Sequence, residues 1–199
     1  MVSVNSKKPF TLVFTLDQQN NKILLGMKKR GFGMNKFNGK PRCHSFKAPI
    51  PVVMDSLYYP YSNVGFGGKL EPGESVLQAA YRELTEEAMI EAHNMEKVGI
   101  NLFTFENDPV ALEVHVYVVT QFSGIPTETE EMRPEWFDYS KIPYQQMWSD
   151  DEQWLPHVLD GKFFLGEYHF AKDQKTILGE KLSLVSNPPL EFDLSQLCM

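Results

Sequence analysis

The amino-acid sequence predicts an α+β domain, and three observations lead to this fold class. Residues 10–16 (FTLVFTL) alternate with the period of two that is typical of a strand with two different faces. Residues 74–89 show helical spacing of apolar side chains instead. One clear helix among many strands is typical of an α+β fold. Further strand-like runs recur along the chain, at 22–27, 99–105, 112–122, 136–139, 166–170 and 182–185.

The helices and the first hairpin have local signals of their own. The segment 74–89 (ESVLQAAYRELTEEAM) contains neither Gly nor Pro and consists of good helix formers. Residues 17–21 (DQQNN) supply turn-forming Asp and Asn, so they predict a hairpin between the first two strands. A second helix is predicted within 145–161, with its N-cap near Ser149, Asp150 and Asp151. The predicted apolar stripe of the first helix consists of Val76, Leu77, Ala80, Leu84 and Ala88.

Composition and charge exclude several classes of protein. With 199 residues, 42% of them apolar and 23% charged, the chain is expected to form one globular domain. The net charge of −7 and the lack of a basic patch argue against a nucleic-acid polymer as partner. Two cysteines are too few for a disulfide framework or a zinc site, and no apolar run approaches the ~18 residues of a membrane span. We therefore expect a cytoplasmic protein without a membrane partner, a nuclear or mitochondrial fraction being the alternative. We also expect the protein to be a monomer.

The chain is predicted to form a single domain over residues 1–185, followed by a C-terminal tail at 186–199. An insert at 40–65 interrupts the domain. It holds four of the 13 prolines and three of the eight tyrosines, and it has no sustained helical or strand period. We therefore predict an irregular surface loop for the insert.

Three carboxylates are predicted to project from one face of the first helix. Glu83, Glu86 and Glu87 stand at i, i+3 and i+4, so they lie within about one helical turn. Such a pair or triplet is commonly just a solvated surface, because like charges repel. The arrangement becomes favourable when a hard divalent cation such as Mg²⁺ binds between the oxygens. Arg82 can orient a neighbouring carboxylate through a bidentate contact. The chain enters this helix through glycines that allow sharp turns: Gly67, Gly68 and Gly73.

The spacing around these carboxylates resembles the sequence box of the Nudix hydrolases. Gly68 is followed by five residues, then Glu74, then seven residues, and then Arg-Glu-Leu-Thr-Glu-Glu at 82–87. The resemblance implies a Nudix fold, in which helices sandwich a mixed β-sheet core. One position departs from the box, since Met89 stands where the family has glycine. If this position needs a positive φ, the methionine costs about 1 kcal/mol.

Further segments resemble the Nudix hydrolases that act on oxidised purine nucleotides. They are LLGMKKRGFG at 24–33, EEMRPEWF at 130–137 and MWSDDEQW at 147–154, and the resemblance covers roughly residues 9–185 without the insert. It implies hydrolysis of small-molecule nucleoside triphosphates, such as 8-oxo-dGTP and 2-hydroxy-dATP, to the monophosphate and pyrophosphate. Two alternatives remain open: a nucleotide-binding Nudix domain whose activity the insert impairs, and a Nudix hydrolase of another purine nucleotide.

The resemblance also implies roles for individual residues. Mg²⁺, with Mn²⁺ as a substitute, would be held by the Gly67 carbonyl, Glu83, Glu86, Glu87 and Glu131. The implied catalytic residues are Arg82, Glu83, Glu86 and Glu87, and any of the four glutamates could serve as the general base. The implied substrate-binding residues are Thr11, Lys28, Asn38, Phe66, Gly67, Gly68, Lys69, Trp148, Ser149, Asp150 and Asp151, the two lysines meeting phosphate oxygens and Trp148 stacking on the purine.

The insert and the two adjacent aspartates lead to further predictions. Deleting residues 40–65 restores the continuous Asn-Gly-Phe-Gly-Gly string of the family, so the insert is either a natural loop at the pocket rim or retained non-coding sequence. Asp150 and Asp151 are adjacent carboxylates beside an indole. Two such anions should not both ionise easily, so we expect them to titrate as a pair with one pKa raised.

Overall fold

A computed structural model describes residues 4–29 and 63–192 of the chain. Most of the predicted insert and the predicted substrate-binding residue Asn38 lie outside these ranges. Eight of the ten strands in the described ranges form one sheet, and the other two, β4 and β7, form a small ribbon. The strands are β1 (Ser6–Asp17), β2 (Lys22–Lys28), β3 (Asn63–Val64), β4 (Glu91–Ala92), β5 (Glu96–Phe105), β6 (Val110–Val119), β7 (Phe122–Ser123), β8 (Met132–Asp138), β9 (Phe163–Phe170) and β10 (Ile177–Val185).

The main sheet is mixed, as predicted. Its strand order is β10-β9-β5-β6-β1-β2-β3, and β8 also pairs with β2. The β1–β6 and β5–β9 pairs are parallel, whereas the other pairs are antiparallel. The parallel pairs need long crossover connections, which carry the helices onto the faces of the sheet.

Two helices cover opposite faces of this sheet. They are α1 (Val76–Ala88) and α2 (Asp151–Leu159). Consecutive residues of β1 show the division, because side chains alternate between the faces of a strand. Val13 belongs to the apolar cluster with Leu84 of α1, while Phe14 belongs to the cluster with Trp154 of α2. This confirms the predicted sheet core sandwiched by helices.

The ends of α1 follow local sequence signals. Ser75 and Gln78 form a reciprocal capping box, in which each side chain accepts a hydrogen bond from the other residue's backbone N–H. The helix therefore begins at Val76 and not at Glu74. It ends at Ala88, and the next residue, Met89, adopts the left-handed conformation with φ 59°. The Nudix-box glycine position thus requires a positive φ in this chain.

Replacing Met89 with glycine is expected to stabilise the protein. The methionine side chain is 56% exposed, so its loss removes little packing. Relief of the left-handed conformation should raise the free energy of unfolding by about 0.5–1 kcal/mol, which chemical denaturation can measure. As a control, Asn107→Gly also relieves a positive φ, and it should gain less because Asn tolerates this conformation. A destabilised Met89→Gly variant would contradict the strain argument.

Some predicted details were wrong. The last residues of the predicted insert form β3, whose Val64 pairs with Gly26 of β2, so they are sheet and not loop. The predicted strand 112–122 ends at Val119, and β7 is a separate short strand. On α1, Leu77 is 44% exposed, so it lies outside the apolar stripe. The capping box sets where the helix starts, but the neighbouring strands determine which of its sides is covered.

The chain after β10 remains attached to the sheet as far as Phe192. The Phe192 side chain is buried with Ile100, Leu102 and Ala111. Lys97 Nζ donates to the Leu190 carbonyl over 2.7 Å, and Lys7 Nζ donates to the Phe192 carbonyl over 2.9 Å. The first part of the predicted tail is therefore docked against the sheet. None of the helices within the described ranges has the length and apolar character needed to cross a bilayer.

Candidate active site

Four of the predicted metal-binding glutamates line one cavity. The cavity has a volume of about 330 Å³ and lies between α1 and the segment before β8. We call it the glutamate cavity, and its lining residues are Glu83, Glu86, Glu87, Thr129, Glu130 and Glu131. The helix contributes three of the glutamates because of their i, i+3, i+4 spacing, as predicted. Glu131 is brought to them by the pairing of β8 with β2.

Glu87 is buried, although its position on the helix predicted an outward-facing carboxylate. Its side chain is only 4% exposed. Oε2 accepts a hydrogen bond from the Gly67 backbone N–H over 2.8 Å, and Oε1 lies 3.9 Å from Lys28 Nζ. Burial raises the pKa of Glu87 to about 7, and Lys28 and the Gly67 N–H only partly offset this effect. The charges of Glu83 and Glu131 raise this pKa further.

Arg82 organises the carboxylates around it. Its guanidinium binds Glu74 through two hydrogen bonds of 2.9 and 3.0 Å, and these bonds lower the pKa of Glu74. The same group donates to Glu83 over 3.0 Å and to Glu86 over 3.1 Å. Burial nevertheless raises the pKa of Glu83 above its ordinary value. Arg82 thus connects the second and third acidic positions of the box and holds their orientation, as the sequence predicted.

Two glycines allow the backbone to pass closely between β1 and α1. A Cβ atom at Gly67 would lie 2.0 Å from the Thr11 carbonyl oxygen, and one at Gly68 would lie 2.5 Å from Oε1 of Glu83. Any larger residue would displace the strand or the carboxylate. The predicted substrate-binding residue Thr11 is tied to the same segment, because its hydroxyl accepts a hydrogen bond from the Gly68 N–H over 3.3 Å. These glycines are needed for packing at the cavity.

The chemistry of the glutamate cavity fits a hard divalent cation. Its carboxylates repel one another, and burial disfavours the charge on two of them, so a bound cation would compensate both effects. Within residues 4–29 and 63–192, no three acidic, His or Cys side chains are already arranged around a single point as metal ligands. The Glu83 and Glu86 carboxylates bind Arg82, and Glu87 binds Gly67. The donors are therefore present in one cavity, and the three on α1 are each held by a protein partner.

The second acidic group is the aspartate pair, Asp150 and Asp151, at the start of α2. Both residues are almost fully buried. Asp150 Oδ2 accepts a hydrogen bond from Trp154 Nε1 over 2.8 Å, and Asp151 Oδ2 accepts one from the Trp148 backbone N–H over 3.1 Å. Burial raises the pKa of Asp150 to about 6. Burial raises the pKa of Asp151 as well, and the charge of Asp150 adds to this effect.

The second helix begins within the predicted cluster, and burial raises the pKa of both aspartates, whereas one raised pKa was expected. Asp150 occupies the N-cap position, but its side chain makes no capping hydrogen bond to the helix backbone. It binds Trp154 instead. Trp154, which was not among the predicted site residues, is fully buried and stacks on Phe164 at a ring-centroid distance of 5.4 Å. The i, i+4 spacing of Asp150 and Trp154 on one helix could have indicated this pair.

The structure does not bring all predicted substrate-binding residues together. Phe66 is fully buried in the apolar cluster under α1, on the other side of the sheet from the aspartate pair. Ser149 Oγ donates to the Lys175 carbonyl over 3.0 Å, so it ties α2 to the loop before β10. Lys28 faces Glu87, whereas the Lys69 side chain is exposed. The described residues thus form two acidic centres, the glutamate cavity and the aspartate pair.

The chain is similar to known proteins in both sequence and structure. Residues 11–158 match the sequence model of the NUDIX domain. The chain is 36% identical over 184 residues to a Mus musculus protein named oxidized purine nucleoside triphosphate hydrolase, covering 92% of this chain and 99% of that protein. A Danio rerio protein of the same name is 37% identical over 182 residues, covering 92% and 98%. The crystal structure of a MutT protein from Bacillus halodurans superimposes with a TM-score of 0.65 at 23% identity, covering 88% of this chain and 97% of that one.

Proposed function

Because this chain belongs to the Nudix family, we propose that it hydrolyses oxidised purine nucleoside triphosphates, such as 8-oxo-dGTP and 2-hydroxy-dATP, to the monophosphate and pyrophosphate. The observation that carries the proposal is the pair of acidic centres in one small domain. The glutamate cavity has the donors for a metal-assisted phosphate reaction, and the buried aspartate pair has the polarity to recognise a base edge. The names of the mouse and zebrafish relatives support the substrate class.

Hydrolases of this family generally need a divalent metal ion, and we propose Mg²⁺ here, with Mn²⁺ as a substitute. Glu83, Glu86, Glu87, Glu131 and the Gly67 carbonyl would hold it. When bound there, a divalent ion neutralises charge on phosphate oxygens and lowers the pKa of a coordinated water.

The protein's own groups supply the rest of the reaction. Arg82 keeps Glu83 and Glu86 in fixed orientations through its hydrogen bonds. Lys28 lies beside Glu87 and, with Lys69, provides positive charge for the phosphate oxygens. One glutamate of the cavity accepts the proton of the attacking water.

The base would be bound at the aspartate pair, with the Trp148 indole stacking on the purine. A protonated carboxyl donates a hydrogen bond and an ionised one only accepts, so the raised pKa values of this pair suit bases with different hydrogen-bonding edges. We also propose that the enzyme works as a cytoplasmic monomer on small nucleotides. Its net charge of −7 disfavours a nucleic-acid polymer as partner.

A substrate panel tests this function. The panel contains 8-oxo-dGTP, 2-hydroxy-dATP, dGTP, dATP, a methylated purine triphosphate and a dinucleotide, each with and without Mg²⁺, and the assay follows pyrophosphate release. We expect Mg²⁺-dependent turnover with the highest kcat/KM on an oxidised purine. Preference for the dinucleotide or the methylated purine would contradict the proposed substrate. Tight nucleotide binding without turnover would instead indicate a binding domain.

Removing the predicted insert is expected to preserve or improve activity. The deletion of residues 40–65 joins Asn38-Gly39 to Phe66 and restores the family string. The shorter loop also has a slightly smaller entropic cost of closure. A shorter deletion of 40–62 is the matched control, because it keeps β3 paired with β2. A folded but inactive 40–65 variant beside an active 40–62 variant would show that β3 is part of the site.

A further inference from the structure

A cluster of buried polar groups lies on the sheet face under α2, the helix that begins at the aspartate pair. Asn101 of β5 and Tyr168 of β9 are both fully buried. Within residues 4–29 and 63–192, neither the Asn101 amide nor the Tyr168 hydroxyl has a hydrogen-bond partner, and the same is true of Asp150 Oδ1. Buried polar groups in folded proteins are nearly always hydrogen-bonded, so this concentration of unpaired atoms calls for a functional explanation.

The register of β5 and β9 places Asn101 and Tyr168 side by side. Asn101 pairs with Gly166, and Phe103 pairs with Tyr168. A Cβ atom at Gly166 would lie 2.1 Å from Asn101 Oδ1 and 2.8 Å from Tyr168 Cε2, so the amide and the phenol ring flank the same point. The glycine leaves the space that the amide occupies. The two polar side chains therefore form one cluster.

Tyr168 belongs to the same buried apolar cluster as Trp154, whose indole donates to Asp150, so the polar cluster lies near the aspartate pair. Burial raises the pKa of Tyr168, and the charges of Asp150, Glu180 and Asp151 raise it further, so α2 and β10 both place carboxylates near the hydroxyl. Trp154 holds Asp150 through Oδ2 only. The other oxygen, Oδ1, is buried and is the one that lacks a donor among the described residues.

We propose that Tyr168 and Asn101 are positioning residues for Asp150, which donate hydrogen bonds to its Oδ1 atom when that carboxyl ionises and so control which aspartate holds the proton while a purine is bound. The phenol O–H and the amide N–H₂ are donors, and donors stabilise an ionised carboxylate over a protonated one. The proton of the pair is then left on Asp151. This inference rests on the proposed function, because it assumes that the pair meets the base.

The test compares Tyr168→Phe and Asn101→Leu with the parent enzyme. For each, kcat/KM is measured for 8-oxo-dGTP and 2-hydroxy-dATP across the pH range in which the protein is folded, together with the melting temperature. We expect the ratio of the two kcat/KM values to change at least about fivefold in Tyr168→Phe, as for loss of a hydrogen bond to a charged group. The pH at which the ratio changes should also move upward, because an Asp150 without its donors ionises less readily.

Tyr139→Phe is the matched control. The Tyr139 hydroxyl is also buried without a partner among the described residues, but it is influenced by Asp17 and not by the aspartate pair. Its removal should leave the ratio within about twofold of the parent. Tyr168→Phe removes a single oxygen, so it keeps the test decisive even if Asn101→Leu does not fold.

The outcomes separate the inference from the function on which it rests. An unchanged substrate ratio and pH profile in Tyr168→Phe, with a changed ratio in Asp150→Asn, would overturn the positioning role and leave the base site intact. An unchanged ratio in Asp150→Asn as well would overturn the base site. Lack of turnover by the parent on both oxidised purines would overturn the proposed function itself. A change in melting temperature alone would assign Tyr168 to packing.

Discussion

Replacing Glu87 with glutamine is expected to reduce Mg²⁺-dependent hydrolysis by more than about 100-fold, or about 3 kcal/mol in the barrier. The glutamine is nearly the same size and can still accept the Gly67 N–H, but it removes an anionic oxygen donor from the glutamate cavity. The fold should be kept. Burial penalises the charge on Glu87, so the neutral side chain should leave the melting temperature in metal-free buffer unchanged or higher.

Turnover and melting temperature are therefore measured together for this variant. Glu135→Gln is the matched control, because Glu135 is an exposed glutamate of β8 outside the cavity and should retain full activity. If Glu87→Gln stays within about threefold of the parent, which is less than about 1 kcal/mol, the assignment of Glu87 as a metal ligand is wrong. A loss of activity accompanied by unfolding would mean that the carboxylate serves the fold instead.

The second large effect is expected at the aspartate pair, where Asp150→Asn and Asp151→Asn should each change the preference between 8-oxo-dGTP and 2-hydroxy-dATP. An amide cannot exchange the roles of donor and acceptor by moving a proton, so each variant should lose more activity on one base than on the other. A site that hydrogen-bonds a substrate group discriminates strongly, and we expect the ratio of kcat/KM values to change at least about tenfold. Equal losses on both substrates would reject a role in base discrimination.

Asp150→Asn should also change how stability depends on pH. Burial raises the pKa of Asp150 from 3.8 to about 6, so between these values the folded protein holds a proton that the unfolded chain has lost. The stability linked to this proton is present below about pH 4 and is lost as the pH rises through about 6. The asparagine does not ionise and keeps the acceptor for Trp154. The free energy of unfolding is measured by denaturation at pH 4.5 and 7.5. Relative to the parent, the variant should be more stable at pH 7.5 than at pH 4.5. An equal difference in stability at both pH values would contradict the burial argument.

Local patterns were sufficient for much of the fold and for part of the site. The period of two in β1 and the helical spacing in α1 follow from backbone geometry within a few residues, so sequence alone predicts them. The same geometry places Glu83, Glu86 and Glu87 on adjacent positions of one helix, with Arg82 next to them. The Nudix box also marked position 89 as a glycine position, and the structure shows a positive φ there.

The remaining features depend on contacts between distant parts of the chain. Glu87 is buried because the Gly67 segment lies against α1, and Asp150 is buried because α2 packs on β9. The residues next to them in sequence therefore do not predict how far burial raises their pKa values. Phe66 was predicted to line the base pocket. Its backbone forms a β-bridge with Val13, and its side chain is buried in the core under α1.

The elements, the family box and the residue types at both acidic centres follow directly from the amino-acid sequence, because they depend on local backbone preferences and on spacing along the chain. In contrast, the packing of the folded chain sets which carboxylates lose their contact with water and which oxygens keep a hydrogen-bond donor. The folded structure also places Tyr168 and Asn101 together on the sheet face under α2, an arrangement that no local pattern predicts. Burial and pairing arise from the packing of strands far apart in sequence, and they set the charge that each of these groups carries.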